Sequence, residues 1–230
     1  MDVPHKCALM SNIVFWSVSS ICLLLDRVIL SEKSLQEYKV QGLKAVLTTT
    51  EARDIFKVAL LNMGPVTLFY LEMERAFLDA LDFSHKPEEE EWMASRELLC
   101  VVGFLVILEI WFYVTHRLLH IPYLYKTIHK VHHRFQQPCA MAAVYAHPLE
   151  FMFGNVAGLA LGPILTQAHP YTSYAWFAVG LFSTCLSHSG YKPFAKGHDA
   201  HHEFYHYNYG VGGFILDGLF GTRLAKEKEH

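Results

Sequence analysis

The chain has 230 residues, 52% of them hydrophobic and 18% charged, with a net charge of −3 at neutral pH. So low a charged fraction, against about 25% in an average soluble protein, favours an integral membrane protein, and the weak negative balance argues against a general nucleic-acid binder. Five scattered cysteines (Cys7, Cys22, Cys100, Cys139, Cys185) contain no CxxC pair, hence neither a disulfide framework nor a zinc finger.

In chain order, spans of roughly 20 apolar residues are expected at 8–25, 55–73, 98–115, 151–168 and 171–187. The first, "ALMSNIVFWSVSSICLLL", has the length of a signal peptide. Only Lys6 precedes it as a cation and no small-residue cleavage site follows, so it reads as an uncleaved helix. The second is the weakest, since Asn62, Gly64 and Pro65 interrupt it, and part of it is expected in the interface. The third is strong apart from Glu109. The last two are separated only by "QAHPY", the tip of a helical hairpin. The fold class is therefore all-α, an integral membrane helical bundle of four to five spanning helices with a histidine-rich helical cap. The acidic run around "KPEEEE" reads as a solvated loop.

Arg117, Lys126, Lys130 and Arg134 follow the third span, Lys192 and Lys196 follow the fifth, and the hairpin tip carries no Lys or Arg. The positive-inside rule then makes the regions after both spans cytosolic and the tip lumenal. Both of these regions are rich in histidine, and this topology returns them to one membrane face.

Fifteen histidines is the compositional outlier. Three clusters stand out: "HRLLH" (His116, His120), "HKVHH" (His129, His132, His133) and "HDAHH" (His198, His201, His202). Spacings of three and four put each cluster on one helix face if the segment is helical, and neutral imidazole is the commonest metal ligand. His147 in "YAHPLE" and His188 in "SHSGY" sit at the same depth. A single HxxxH is most simply a surface pair. Two HxxHH and an HxxxH on one predicted face point instead to metal, and their number exceeds the four ligands of a structural zinc site. Ligand type alone leaves iron, copper, nickel and zinc open.

The set "HRLLHIPYLYKTIHKVHHRF", "YAHPLE", "HSGY", "GHDAHH" and "NYGVGGFILDGLFGT", with "YKVQ" near residue 38, resembles the fatty acid hydroxylase superfamily of membrane non-haem di-iron oxygenases, in its sterol desaturase and sterol C4-methyl oxidase-like branch. The resemblance implies a multi-pass endoplasmic-reticulum oxidoreductase with histidine clusters and C-terminus cytosolic. It implies two iron ions, dioxygen as co-substrate, a sterol or long-chain lipid as substrate, and electrons from cytochrome b5 or its reductase. Hydroxylation and desaturation both occur in such a family. The implied ligands are His116, His120, His129, His132, His133, His147, His188, His198, His201 and His202. Residues 97–230 would form the catalytic domain, and 1–96 the N-terminal membrane helices with their loops.

Glu109 lies two turns, ~10.5 Å, below His116 on the same stripe, with Tyr113 between them. A carboxylate inside a span is a functional candidate by default, so Glu109 and Tyr113 are candidate channel-lining or metal-buttressing residues. The plainer reading of Glu109 is a structural group bonded to a neighbouring element. Asp199 is a candidate for orienting an imidazole or an exposed cap. Gly210, Gly212, Gly213 and Asp217 read as a turn beneath the site. The closing "KEKEH" resembles a cytosolic dilysine signal. Two alternative functions are a histidine-rich metal transporter, which usually holds its cargo near mid-membrane on broken helices, and an inactive metal-bound scaffold.

Overall fold

A computed structural model describes residues 2–42, 47–83, 85, 88–135, 139–211 and 215–224. The "KEKEH" tail, Gly212 and Gly213 lie outside the described residues. Helix α1 (Val3–Ile29) is followed by a short α2 (Glu32–Tyr38), α3 (Thr49–Ala80), α4 (Ala94–Leu119) and α5 (Pro122–Thr127). Two 3₁₀ segments, His129–Arg134 and Ala140–Val144, lead into α6 (Pro148–Thr166), α7 (Pro170–His188), α8 (Lys192–Phe204) and α9 (Ile215–Leu219). Helices α1, α3, α4 and α6 are long and apolar enough to cross a membrane. The fifth expected span forms as α7, whose Ser173, Ser183, Thr184 and Ser187 make it less apolar.

The helices start where their sequences provide caps. The Asp2 side chain accepts the His5 N–H at α1, and Thr48 with Glu51 forms a reciprocal capping box at α3. Helix α3 runs unbroken through the interrupted stretch, because a π-helical turn at Asn62–Val66 accommodates Pro65. The Asn62 amide, fully buried there, donates to the carbonyls of Val144 and Ala146 at 2.9 and 3.0 Å, tying α3 to the loop before α6.

Small residues set the helix contacts. In α6, Gly158 and Gly162 face α4 one turn apart; a Cβ on Gly162 would stand 2.9 Å from the Phe104 ring and 3.0 Å from its backbone. This close approach is the membrane small-xxx-small contact. The buried stripe of α1 is Cys7, Ser11, Phe15, Ser19 and Cys22, which packs on the Leu181 and Cys185 face of α7. The outward face of α4 is the reverse of a soluble helix, with Leu98, Val102, Val106, Ile110, Val114 and Leu118 all about half exposed or more. Charged and polar groups lie inside instead, among them Lys39, Asp217, Glu150, His116, His129, His133 and His201. An apolar exterior around a polar interior is what a lipid environment requires.

The α6–α7 connection is the expected tight tip. Gln167 takes a left-handed conformation (φ 52°), Arg96 donates to its carbonyl at 2.7 Å, and Glu97 accepts the His169 N–H at 3.1 Å. The start of α4 therefore clamps the tip. The opposite ends of α4, α6 and α7 meet at the other pole of the bundle.

Candidate metal centre

At that pole nine imidazoles converge into two adjacent groups. One contains His116, His120, His129, His133 and His201, the other His132, His188, His198 and His202; within each, the ligand nitrogens lie within 4.8 Å of one another. The last turn of α4 supplies His116 and its C-cap residue is His120, the 3₁₀ turn supplies three, the end of α7 supplies His188 and α8 supplies the rest. Neither HxxHH motif serves a single group. His129 and His133 join the first while His132 joins the second; His198 and His202 join the second while His201 joins the first. On α8, a residue at i+3 points about 60° to one side of i and i+4 to the other, so the stripe straddles two sites.

The backbone fixes which nitrogen faces inward. The Nδ1 atoms of His116, His132, His188 and His201 lie 2.6–3.1 Å from the carbonyl oxygens of Tyr209, Tyr145, Thr184 and Tyr207. A carbonyl only accepts, so each Nδ1 carries the proton and each Nε2 presents a bare lone pair. Those of His116 and His201 are buried without a hydrogen-bond partner among the described residues. His129 directs Nδ1 to Glu150 Oε1 at 2.8 Å, with both side chains buried. Facing Nε2 atoms stand 2.8–3.1 Å apart in the pairs His120–His129, His129–His133, His188–His198 and His198–His202.

Within each pair one imidazole can donate Nε2–H to the other, or, with both nitrogens deprotonated, the two lone pairs can converge on one cation. Two nitrogens about 2.1 Å from one ion and at right angles are about 3 Å apart, so the observed spacing fits a ligand shell. The donor set is also in its ligating form. Burial pushes His129 down to about 3, and burial with neighbouring His129 does the same to His120. His198, His201 and His202 are likewise held well below the ordinary histidine value by burial. All five are neutral at physiological pH.

His147, the tenth expected ligand, lies outside both groups; it caps α6, its Nδ1 accepting the Leu149 N–H at 3.2 Å. Glu109 accepts backbone N–H bonds from Val211 and Leu216 at 3.1 and 3.2 Å. Tyr113 is bonded to Thr222 and Arg117 and stacks on Phe220. Both therefore grip the C-terminal segment rather than reach the imidazoles. The segment reaches them through Tyr209: Asp217 accepts the N–H groups of Tyr209 and Gly210, and the Tyr209 carbonyl holds His116. Asp199 is buried and accepts from Gln41 at 2.9 Å, with burial raising its carboxyl to about 6.

Glu150 is the residue that sequence reasoning passed over. The available signal was a carboxylate at the head of an apolar span, the same one that drew attention to Glu109.

A cavity of about 830 Å³ opens from the two groups into the bundle. His116, His129, His132, His188 and His198 line one end, and Ser11, Tyr70 and Ser173 the other. From His188 to Ser173 is fifteen residues of helix, or ~22 Å. Its walls include Leu105, Phe112, Leu159, Trp176 and Phe177.

A family model described as fatty acid hydroxylase matches residues 101–222. The human fatty acid hydroxylase domain-containing protein 2 is 31% identical over 90% of this chain and 63% of its own length. Methylsterol monooxygenase erg25B of Aspergillus fumigatus is 32% identical over 95% of the chain and 77% of its own length. Methylsterol monooxygenase 1 of rat is 39% identical over 53% and 45%. The chain thus spans less than two thirds of the human relative. No solved structure matches it.

Proposed function

Because the chain belongs to the fatty acid hydroxylase family, we propose that it is a membrane-embedded di-iron oxygenase that hydroxylates or desaturates a sterol or long-chain lipid. The observation carrying this reading is the pairing of two groups of inward-turned Nε2 atoms with the mouth of a long apolar cavity. Five histidines in one group and four in the other would each hold one iron. Iron so held supplies the redox chemistry by which dioxygen oxidises an unactivated C–H bond.

The protein's own part is positional. Carbonyls of Tyr145, Thr184, Tyr207 and Tyr209 lock the imidazoles in one tautomer, and Glu150 orients His129 and raises its donor strength. The cavity volume is within the ~300–1,000 Å³ usual for small-molecule sites. Its apolar walls exclude water and align an extended lipid with one end against the imidazoles. Exposed Arg117, Lys126, Lys130, Lys192 and Lys196 surround the histidine pole. This supports a cytosolic orientation in the endoplasmic-reticulum membrane and docking of an acidic electron donor, cytochrome b5 or its reductase.

The test is reconstitution of iron-loaded protein in lipid with a reductase, cytochrome b5 and dioxygen. Mass spectrometry of added sterols and long-chain lipids is expected to find one class gaining an oxygen or losing two hydrogens. Absence of any lipid product with iron bound and reducible would overturn the proposal.

A further inference from the structure

Lys39 is the one lysine or arginine buried among the described residues, at 1% exposure. Its ammonium donates to Asp26 Oδ2 at 2.6 Å and to the Ser189 carbonyl at 2.7 Å, and stands 4.4 Å from the centre of the Tyr191 ring. The Tyr191 hydroxyl closes the ring of contacts by donating to Asp26 Oδ1 at 2.9 Å. A buried charge is costly even when paired, and packed apolar groups would join two segments more simply. What the ammonium adds is a directed hold on one backbone carbonyl.

That carbonyl follows His188. The hold is extended on both sides: the Val40 N–H donates to the Gly190 carbonyl at 2.8 Å, the Lys192 ammonium bonds the Glu37 carbonyl, and Gln41 bonds Asp199 at 2.9 Å. Residues 37–41 therefore grip the turn joining α7 to α8, and α8 itself one turn before its last histidines. Helices α7 and α8 carry three of the four imidazoles of the second group, His188, His198 and His202, but only His201 of the first.

We propose that Lys39, with Asp26, Tyr191 and Gln41, forms a positioning brace for the second histidine group, fixing the angle between α7 and α8 at which His188, His198 and His202 share one ion. The inference rests on the reading of both groups as metal sites. The first group draws four of its five imidazoles from the end of α4 and the 3₁₀ turn and meets the braced α8 only through His201.

The experiment is metal counting by mass spectrometry, with electron paramagnetic resonance, on full-length protein in nanodiscs. Wild type is expected to hold two irons per chain and Lys39→Met one, in a signal of isolated rather than coupled iron; adding His116→Ala removes the ion that remains. Lys39→Met leaves Asp26 without its counter-charge and is exposed to misfolding, so Lys39→Met with Asp26→Leu, which strands no charge, is measured alongside and is expected to hold one iron as well. Two irons with an unchanged signal in either variant, or loss of both together in the folded double variant, overturns the brace. Fewer than two irons in wild type overturns the metal reading itself, and the brace with it.

Discussion

Nδ1 of His129 lies 2.8 Å from Oε1 of Glu150, and both side chains are almost fully excluded from solvent. The contact joins the 3₁₀ turn to the head of α6, and the second oxygen, Oε2, has no hydrogen-bond partner among the described residues. A carboxylate behind a ligating imidazole fixes its orientation and strengthens its donation, and losing it typically lowers metal affinity about 10–100-fold. Glu150→Ala is expected to show a loss of that size in competition with a chelator, whereas Glu150→Gln retains part of the affinity. Unchanged affinity in Glu150→Ala would contradict the assigned role.

Glu109 accepts two backbone N–H groups of the C-terminal segment and touches no imidazole. Glu109→Gln keeps one of the two accepting oxygens and leaves the imidazoles untouched, so it is expected to retain iron and turnover. Glu109→Ala strands two half-buried donors, at a cost of about 1 kcal/mol, and is expected to lower the melting temperature in detergent. Abolished turnover in a stable, iron-loaded Glu109→Gln protein would restore this carboxylate as a candidate for the chemistry.

Gly162 packs directly on Phe104, where a Cβ would collide with ring and backbone. Gly162→Leu forces α6 from α4 and is expected to cost about 1–3 kcal/mol by overpacking. Thermal unfolding in a single lipid composition measures it. No change in melting would show that the two helices do not meet as described.

Burial holds His129 and His120 at about 3 in the folded protein, against about 6.5 in an unfolded chain. Between these values the unfolded chain binds more protons, so stability rises with pH across the window and falls as pH drops through it. Metal-free protein is therefore expected to melt at nearly constant temperature above about pH 7 and at falling temperature from about 6.5 towards 4. A flat profile over that range would contradict buried neutral imidazoles.

The histidine clusters, the hairpin that reunites them and the all-helical architecture were legible because each rests on local spacing or a long apolar run. The continuity of α3 through Pro65 was not, since a π-turn and the bonds of Asn62 to a distant loop absorb the defect. Nor was the division of each HxxHH between two groups. Spacing shows that His198, His201 and His202 share a face, but neighbours from α4, α7 and the 3₁₀ turn decide where each nitrogen finds company. Glu150 and Glu109 looked alike as carboxylates in apolar surroundings. Only tertiary contacts separate the one behind an imidazole from the one holding a loop.

The most direct test counts iron per chain in wild-type protein purified without chelator, beside His116→Ala and His188→Ala, one from each group. Two irons in wild type and the loss of one in each variant are expected. Wild-type protein that binds no iron, or retains both ions when either histidine is removed, would contradict the two imidazole-held sites on which the account depends.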